Sequence, residues 1–416
     1  RNGGFGGAPK FPMPSIPAFL TAYYRFTGEI LQAEAAQKDA SRAKAYQMIS
    51  GSLEAMAAGG IYDHIGGGFH RYATDERWHV PHFEKMLYDN AQLISVYVDA
   101  HDLTGEEAYA RVARESIDYV LRDMKHPEGG FFSAEDADSL PHRTDSGASG
   151  HARKREGAFY VWRHAEIEEI LSAHPDDEAF AIFSFVYDVR ENGNVARDPF
   201  GEFKRENVLY KAQSVEAASA RFNRPAEEVR GILDTGREML FKARLKRSRP
   251  HLDDKVLTAW NGLMISALAR AFQAFNRPAD LEAGRRAAEF IHRRLYDGGE
   301  QILYRRWRDG EARIAGMAED YAYLIQGLLD LYEADFVPGH LKWAVELTEQ
   351  FMERFVDSTS GAVYMTPDGS DPYLALTMKD GIDNVTPAAA SVAALNLVRL
   401  SRITGGRDFE KGAQRI

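Results

Sequence analysis

The sequence predicts an all-α protein with the (α/α)6 toroid fold, built from six helical hairpins with short strand pieces in the long loops. Apolar residues recur at helical spacing in one segment after another, and these segments come in pairs joined by short turns. The connections between pairs are long, and the pattern repeats with a period of roughly 60 to 80 residues. Neither end carries the polar capping repeat that an open solenoid needs, so a closed toroid is favoured.

The hairpins follow one another along the chain, with helices predicted at 14–26 and 38–58, 83–103 and 106–124, 163–173 and 176–187, 255–275 and 279–295, 319–335 and 339–355, and 386–403 with the segment after Gly405-Gly406. Further helical pattern at 214–245 is an insertion, in which Pro225 starts a new segment as a first-turn proline. We interpret residues 1–416 as one barrel domain. The alternative is two helical domains divided near 246–250.

The connections carry the remaining predicted elements. Strand pieces are expected at 130–133, 157–162, 302–307 and 362–365, each between hairpins. The polar, glycine-containing stretch 140–155 predicts a mobile surface loop, in which His142 and His151 are solvated.

Composition limits the classes of function. The chain has 416 residues, of which 44% are hydrophobic, and 51 basic against 62 acidic residues give a net charge of −11. This balance argues against a nucleic-acid partner and against an anionic membrane surface. No apolar run approaches the ~18 residues of a membrane span. Cysteine is absent, which excludes disulfides, thiolate zinc sites and cysteine nucleophiles and is compatible with a cytoplasmic location. The chain opens at Arg1 without a methionine, so a targeting segment could have preceded it.

One loop stands out, GGIYDHIGGGFHRYATDERWHVPHFEKMLYDNAQ at 59–92, because it gathers histidines, carboxylates and aromatics around a glycine triplet. Buried charges and imidazoles need partners, and loops carry chemistry more often than cores do, so this loop is predicted to form the floor of a site. Histidines and carboxylates would transfer protons, and aromatic faces would stack on a sugar ring. The structural alternative is that the aromatics fill the barrel mouth while Asp63 and Arg71 tie the loop down.

A metal site is not predicted in this loop, and no cofactor is predicted for the chain. His79 and His82 lie three residues apart, with Glu84 close by, but zinc needs three or four converging ligands. The intervening Pro81 favours extended backbone over a helical ligand face, and no HExxH helix is present.

Further polar clusters lie just before, or at the start of, the first helix of a hairpin. They are Asp136 in SAEDADS, Glu156 before GAFYVW, Asp254-Lys255 with Trp260-Asn261, Glu319-Asp320-Tyr321, and Asp383-Asn384. The alternative for each cluster is a purely structural role as a polar turn, a helix cap or an ion pair. If the toroid closes, all of them converge on one rim with the loop at 59–92.

Several long strings in the chain are similar to one family. They are GGFGGAPKFP (3–12), the string at 59–93, EGAFYVW (156–162), DDKVLTAWNGLMISALARA (253–271) and AEDYAYLIQGLLDLYEA (318–334). They resemble the thioredoxin-domain-containing proteins of the spermatogenesis-associated type. The resemblance implies an (α/α)6 region similar to six-hairpin glycosidases and N-acylglucosamine 2-epimerases. It also implies a covalently linked, upstream thioredoxin-like domain in the full-length protein, whose redox function cannot be carried onto these residues.

Three functions follow as hypotheses. The first is a carbohydrate-active region, a sugar isomerase/epimerase using histidines or a glycoside hydrolase using two carboxylates. The second is a non-catalytic module that binds a glycan or peptide for the attached domain, and the third is a platform for protein contacts whose polar clusters are sealed ion pairs. The expected catalytic residues are His82, His79, Asp254, Glu319 and Asp63. The expected binding residues for a small, carbohydrate-like ligand are Tyr62, His64, Arg71, Trp78, Glu84, Asp136, Glu156, Lys255, Trp260, Asn261, Asp320 and Tyr321.

Overall fold

A computed structural model describes residues 2–33, 40–141, 153–196, 201, 203–367, 378–379 and 381–416. Most of the predicted surface loop at 140–155, including His142 and His151, lies outside the described residues, as does the start of the helix predicted at 38–58. No helix in these described ranges combines the length and the apolar character needed to cross a membrane.

Fourteen α-helices occur in the described part of the chain. They are α1 (Ser15–Ala33), α2 (Ala40–Ala58), α3 (Leu87–Thr104), α4 (Glu107–Asp123), α5 (His164–Leu171), α6 (Ala179–Tyr187), α7 (Val215–Phe222), α8 (Ala226–Arg244), α9 (Thr258–Phe275), α10 (Pro278–Arg294), α11 (Ala318–Asp335), α12 (Pro338–Phe355), α13 (Ala389–Thr404) and α14 (Arg407–Arg415). The six predicted hairpins and the helical insertion at 214–245 are all recognisable in this order.

The helix ends follow local chemistry. The insertion consists of two helices, because Ser214 caps α7 by accepting a hydrogen bond from the Ala217 amide (3.1 Å) and Asn223 ends it in the left-handed conformation. Helix α13 begins at Ala389, later than the predicted residue 386, because Pro387 disfavours helical backbone at the residue before it.

Eleven short strands occur in the described residues: β1 (Tyr72–Ala73), β2 (Pro81–His82), β3 (Lys85–Met86), β4 (Ala134–Glu135), β5 (Asp138–Ser139), β6 (Arg155–Glu156), β7 (Leu252–Asp253), β8 (Val256–Leu257), β9 (Tyr296–Asp297), β10 (Ile302–Arg308) and β11 (Glu311–Ala315). Strand β10 confirms the prediction at 302–307 and pairs antiparallel with β8, β9 and β11. The predictions at 130–133, 157–162 and 362–365 are wrong, since these segments form only isolated bridges. At 157–162, Gly157 has a φ of +70° and starts a turn in which the Tyr160 amide donates to the Gly157 carbonyl.

The chain divides into two compact units, each made of separated segments. The first unit comprises Arg1–Pro12, Phe26–Met86 and Glu135–Leu252, and the second comprises Met13–Arg25, Leu87–Ala134 and Asp253–Ile416. The boundary at Leu252 lies close to the split considered at 246–250, although the units are interleaved along the chain rather than consecutive. The interpretation of 1–416 as one domain stays a prediction.

Each unit has its own core. In the first unit, apolar side chains of α5 to α8 form one cluster that includes Phe183, Ile232 and Leu240. In the second unit, α9 and α11 approach closely at Gly262. A Cβ atom placed on Gly262 would lie 2.5 Å from the backbone carbonyl carbon of Tyr323. Only glycine permits this spacing, and most of the residues of α9 and α11 are accordingly buried.

Candidate functional site

The loop at 59–92 belongs to the first unit and folds around a two-residue strand pair. Strand β1 pairs antiparallel with β2, so that Tyr72 lies opposite His82 and their rings stack at 5.0 Å. Asp75 fixes the connection between the strands, because its carboxylate accepts hydrogen bonds from the Arg77, His79 and Val80 amides. Pro81 was predicted to favour extended backbone, and Pro81 and His82 form the extended strand β2.

His82 lies between two carboxylates from different parts of the first unit. Its Nδ1 is 2.7 Å from Oε1 of Glu156, which lies on β6, and its Nε2 is 3.6 Å from Oε2 of Glu84. The same Glu156 oxygen accepts a hydrogen bond from the Phe83 amide at 3.2 Å, and Arg71 contacts Glu84 at 3.1 Å. We call His82, Glu84, Glu156 and Arg71 the His82 cluster. About a quarter of the His82, Glu84 and Glu156 side chains is exposed, so solvent reaches this cluster.

The charges in the His82 cluster reinforce one another. Hydrogen bonding to Glu156 and then interaction with Glu84 raise the pKa of His82 to about 9, although burial opposes this. The interaction with His82 lowers the pKa of Glu84, aided by Arg71. Burial works to raise the pKa of Glu156, but the hydrogen bond from His82, the charge of His82 and the hydrogen bond from the Phe83 amide together outweigh it, and the pKa of Glu156 is lowered. At neutral pH the cluster is thus an imidazolium held between two ionised carboxylates.

Asp63, expected from the sequence to be catalytic, lies instead in a buried charge cluster. Its Oδ2 is 2.9 Å from Nζ of Lys85, and both of its oxygens receive hydrogen bonds from the Arg244 guanidinium at 2.8 and 2.9 Å. Oδ1 also accepts the Ile65 and Gly66 amides, which closes the turn at the glycine triplet. Burial would raise the pKa of Asp63, but Arg244 and Lys85 hold it well below its ordinary value. The side chains of Asp63, Lys85 and Arg244 are at most 5% exposed, so these contacts stabilise the loop.

Other candidates in this loop are also buried. Tyr62 packs against His64 at 5.3 Å, and His64 contacts the Gly59 carbonyl, while burial lowers the pKa of His64 to about 3. Trp78 is fully buried, under the Lys10 ammonium at 4.5 Å. His79 packs against Tyr210 at 4.3 Å, and burial lowers the pKa of its imidazole. His79 and His82 therefore have different surroundings and opposite pKa shifts.

Asp136 is exposed in the first unit and accepts a weak hydrogen bond of 3.4 Å from the Asp138 amide. Its environment resembles the polar turn that was the alternative in the sequence. Strand β5, which follows Asp136, pairs with β6 and sets Asp138 opposite Glu156. Glu156, rather than Asp136, contributes its carboxylate to the His82 cluster.

The acidic candidates of the second unit are paired with arginines of β10. Asp254 contacts Nε of Arg308 at 2.7 Å and is about half exposed, and Lys255 pairs with Asp253 at 2.6 Å. A single arginine, Arg305, contacts Glu319 at 2.6 Å and Asp320 at 2.9 Å.

Asp320, by contrast with Glu319, is completely buried at the start of α11. It accepts the Met317 amide at 2.9 Å and the Ala259 amide at 3.0 Å, so it caps one helix and holds the beginning of another. Burial raises the pKa of Asp320 to about 6, against the effect of Arg305.

Three more candidates of the second unit have contacts within that unit. Asn261 is fully buried, accepts the Phe131 amide at 2.7 Å and donates to the Phe131 and Leu257 carbonyls. The Tyr321 hydroxyl accepts the Leu303 amide at 3.3 Å. Trp260, partly exposed, meets the Tyr88 ring edge-on at 4.8 Å.

The structure therefore brings four sequence candidates together in the first unit, namely His82, Glu84, Glu156 and Arg71. A second set of candidates, Glu319 and Asp320, lies around Arg305 in the second unit. The cationic partners Lys85, Arg244, Arg305 and Arg308 were not identified from the sequence. Lys85 could have been identified, since it lies in the same loop as Asp63, in the string FEKML. Arg244 could not, because it is 181 residues from Asp63. No group of three or more His, Cys, Asp or Glu within the described ranges is arranged to hold a metal ion.

Comparison with solved structures identifies the fold. A cellobiose 2-epimerase of Bacillus thermoamylovorans superposes with a TM-score of 0.52 at 9% identity, covering 100% of this chain and 79% of that one. A family 76 glycoside hydrolase of Bacteroides thetaiotaomicron superposes with a TM-score of 0.50 at 11% identity, covering 94% and 56%. These neighbours have the (α/α)6 toroid fold, and the predicted fold class is confirmed.

Comparison with curated sequences gives the relationship. The chain is 40% identical to spermatogenesis-associated protein 20 of Homo sapiens over 422 residues, which is 98% of this chain and 52% of the relative. It is also 40% identical to the protein of that name in Mus musculus, and 37% identical to an uncharacterized protein of Caenorhabditis elegans over 99% of this chain and 56% of the relative. The chain matches no family model. It spans about half the length of these curated relatives, and over that span it is a homologue of spermatogenesis-associated protein 20.

Proposed function

We propose that this chain is the carbohydrate-active region of a longer, cytoplasmic protein that also carries a thioredoxin-like domain, and that it acts as a sugar isomerase or epimerase at the His82 cluster. The observation that carries the proposal is the position of the His82 ring, which is about a quarter exposed and has one nitrogen near the Glu156 carboxylate and the other near the Glu84 carboxylate. The fold lends support, since the same fold serves a cellobiose 2-epimerase.

The two nitrogens of His82 have different roles. Nδ1 is held by Glu156 at hydrogen-bond distance, which fixes the orientation of the ring. Nε2 lies 3.6 Å from Glu84, longer than a hydrogen bond, so its N–H can donate to the carbonyl oxygen of an open-chain sugar. A charged donor at that oxygen stabilises the negative charge that develops when the adjacent carbon loses its proton.

Glu84 is the base in this scheme. Its carboxylate is ionised, because His82 and Arg71 lower its pKa, and it takes the proton from the carbon next to the carbonyl. His82 gives its Nε2 proton to the carbonyl oxygen, so the product of this step is a neutral enediol. Return of the proton from Glu84 to the neighbouring carbon, with His82 recovering its proton from the hydroxyl on the original carbon, completes isomerisation. Epimerisation requires the enediol to turn its other face to Glu84 before the proton returns to the original carbon.

Glycoside hydrolysis fits this cluster less well. It requires one carboxyl group with a raised pKa that stays protonated and protonates the leaving oxygen. The pKa values of Glu84 and Glu156 are both lowered, so neither meets this requirement.

A second candidate function is a non-catalytic module that binds a glycan or peptide for the attached domain. It is favoured by the pKa of about 9 at His82, because efficient acid–base catalysis needs a pKa near the working pH. In this case Arg71 and the exposed edge of His82 orient a ligand without transferring protons.

The test is deuterium exchange in D2O, followed by proton NMR with a panel of reducing mono- and disaccharides. An isomerase or epimerase incorporates deuterium at the carbon next to the carbonyl, and His82→Asn or Glu84→Gln lowers the rate by about 100-fold or more. Glu128→Gln is the matched control, since Glu128 is an exposed carboxylate paired with Arg294 and lies in the second unit. Asp254→Asn and Glu319→Gln test the other expected catalytic residues.

Three outcomes are decisive. Exchange that is lost in the His82 cluster variants and kept in the control supports catalysis. Saccharide binding that depends on His82 without exchange indicates the binding module. Exchange that persists in His82→Asn, or an absence of both binding and exchange, contradicts a site at this cluster.

A further inference from the structure

A sheet formed by β8, β10 and β11 presents one of its faces to solvent in the second unit. Strand β10 is central, since it pairs antiparallel with β11 on one side and with β8 on the other. Side chains alternate between the two faces of a strand, and the fully buried Leu303 and Val256 mark the inward face. The opposite face, which we call the hairpin face, carries the side chains of Leu257, Tyr304, Arg306 and Arg313.

The register of this sheet places two arginines side by side. Arg306 of β10 lies directly opposite Arg313 of β11, and on its other side it lies opposite Leu257 of β8. Residues in such positions have Cβ atoms about 5 Å apart, and like charges there destabilise the sheet. The arrangement is unfavourable for the protein alone, and an anion between the two guanidinium groups would relieve it.

Arg306 is also the arginine of this face whose charge is not compensated. Arg308, two residues further along β10, contacts Asp254 at 2.7 Å, and Arg313 contacts Glu311 at 2.7 Å. Within the part of the chain that the structure describes, Arg306 forms no ion pair, and its buried Nε donates no hydrogen bond. Such groups are uncommon, because they have lost contact with water without gaining a partner. The guanidinium of Arg306 is therefore the centre of the hairpin face.

The neighbours of Arg306 supply a hydroxyl donor and an apolar surface. Tyr304 precedes it by two residues on the same face, and within the described ranges the Tyr304 hydroxyl makes no hydrogen bond. Leu257 is partly exposed on the other side of Arg306. A carboxylate bound at Arg306 can accept a hydrogen bond from this hydroxyl, while an apolar group next to the carboxylate contacts Leu257.

The shape of the face favours a polypeptide over a small anion. Arg313 is exposed, and Tyr304, Arg306 and Leu257 are partly exposed, so the face is open rather than enclosed. Small ligands are usually held in pockets that bury most of their surface, and an open face provides few contacts to a free anion. An extended segment gains contacts along its whole length, and recognition of acidic segments by arginine clusters is a recurring mode of peptide binding.

We propose that the hairpin face is a docking surface for an acidic, extended segment of a partner protein. A carboxylate of the segment lies between Arg306 and Arg313 and accepts a hydrogen bond from the Tyr304 hydroxyl. An apolar residue of the segment contacts Leu257. The charge of Arg306, which no carboxylate of the described ranges offsets, is complementary to such a segment. The proposal concerns the second unit and is independent of the reaction proposed at His82.

The test is fluorescence anisotropy with short labelled peptides in which glutamate and valine alternate. Peptides with glutamine or lysine in place of glutamate keep the length and the apolar residues and change the charge. We expect the glutamate peptide to bind most tightly, with an affinity that falls as salt is added, because the contact is between solvent-accessible charges. Arg306→Leu should weaken its binding about tenfold, since hydrogen bonds to a charged group are lost. Tyr304→Phe should weaken it less.

Arg286→Leu is the matched control, because it removes an exposed arginine from α10 of the same unit, where its partner is Glu282. Its affinity for the glutamate peptide should equal that of wild type. Thermal unfolding separates docking from a structural role, since Arg306→Leu removes a like-charged neighbour of Arg313 and should not lower the melting temperature. A weaker affinity at an unchanged or higher melting temperature supports the proposal. A melting temperature that falls with the affinity would indicate a structural role for Arg306 and contradict it.

The proposal is overturned if no peptide binds, if the glutamine peptide binds as tightly as the glutamate peptide, or if Arg306→Leu binds like wild type. Inorganic phosphate or acetate that binds as tightly as the glutamate peptide would assign the face to a small anion instead. Sedimentation that shows a dimer in wild type and a monomer in Arg306→Leu would assign it to a second copy of the chain, which also contradicts the proposal. Deuterium exchange should be unchanged in Arg306→Leu, so this proposal and the reaction at His82 can fail separately.

Discussion

Replacement of Asp63 by asparagine tests whether the buried charge cluster stabilises the loop at 59–92. The substitution keeps an acceptor for the Ile65 and Gly66 amides but removes the negative charge that two buried cations contact. Lys85 is 2.9 Å from this carboxylate and Arg244 is within 2.9 Å of both of its oxygens. The cations would then be left in a site that is nearly closed to water.

Breaking a buried ion pair by removing one partner costs about 3–5 kcal/mol, because the remaining charge is poorly solvated. We therefore expect Asp63→Asn to lower the free energy of unfolding by about 3–5 kcal/mol. The matched control is Asp254→Asn, which breaks an ion pair with Arg308 in which both side chains are well exposed. An exposed pair contributes about 0–1 kcal/mol, so the control is expected to stay near wild type.

The assay is urea unfolding at neutral pH, followed by circular dichroism and tryptophan fluorescence. A loss below about 1 kcal/mol for Asp63→Asn, similar to that of an exposed pair, would refute the reasoning. Asp63→Glu provides a milder second variant, since it keeps the charge and is expected to fall between wild type and Asp63→Asn.

Three further predictions concern stability. The folded pKa of His82 is about 9 against an ordinary 6.5, so its contribution is complete below pH 6.5 and is lost as the pH rises through about 9. Solvent screening reduces the contribution of His82 to the free energy of unfolding from ~3 to about 1–2 kcal/mol. Urea unfolding at several pH values should show the loss of this contribution at high pH in wild type and not in His82→Asn. Gly262→Ala should lower stability by about 1–3 kcal/mol by forcing α9 away from Tyr323, whereas Gly231→Ala, with open space around it, should raise it by about 0.5–1 kcal/mol. Equal melting temperatures for these glycine variants would contradict that packing. Asn261→Ala should cost about 2–4 kcal/mol in thermal or urea unfolding, because buried backbone groups lose their partners.

The helices were predictable because the signal is local. Apolar spacing and Pro225 before α8 both act within a few residues of the helix that they define. The strand pieces at 130–133 and 157–162 were wrong for the same reason, since a short run of apolar residues does not distinguish a strand from a buried turn. Gly157, at a φ of +70°, turns the chain where the pattern predicted an extended one.

The arrangement of the candidate site was predictable only in part, because its pairing is long-range. His82 and Glu156 were both named from residue type and position, but nothing local indicates that residues 74 apart share a hydrogen bond. Asp63 was named for the same chemical reasons, and its partner Arg244 lies on a helix 181 residues away. The sequence therefore identified polar residues without separating those that stabilise the loop from those that face solvent.

The most direct measurement is NMR of the His82 imidazole in protein carrying isotope-labelled histidine, with and without a saccharide. We expect His82 to titrate near pH 9, to return towards 6.5 in Glu156→Gln, and to shift when a reducing sugar is added. A His82 resonance that titrates near 6.5 in wild type and does not shift with any saccharide would contradict the proposal. The proposal requires His82 to be an imidazolium that is held between Glu84 and Glu156 and binds a sugar.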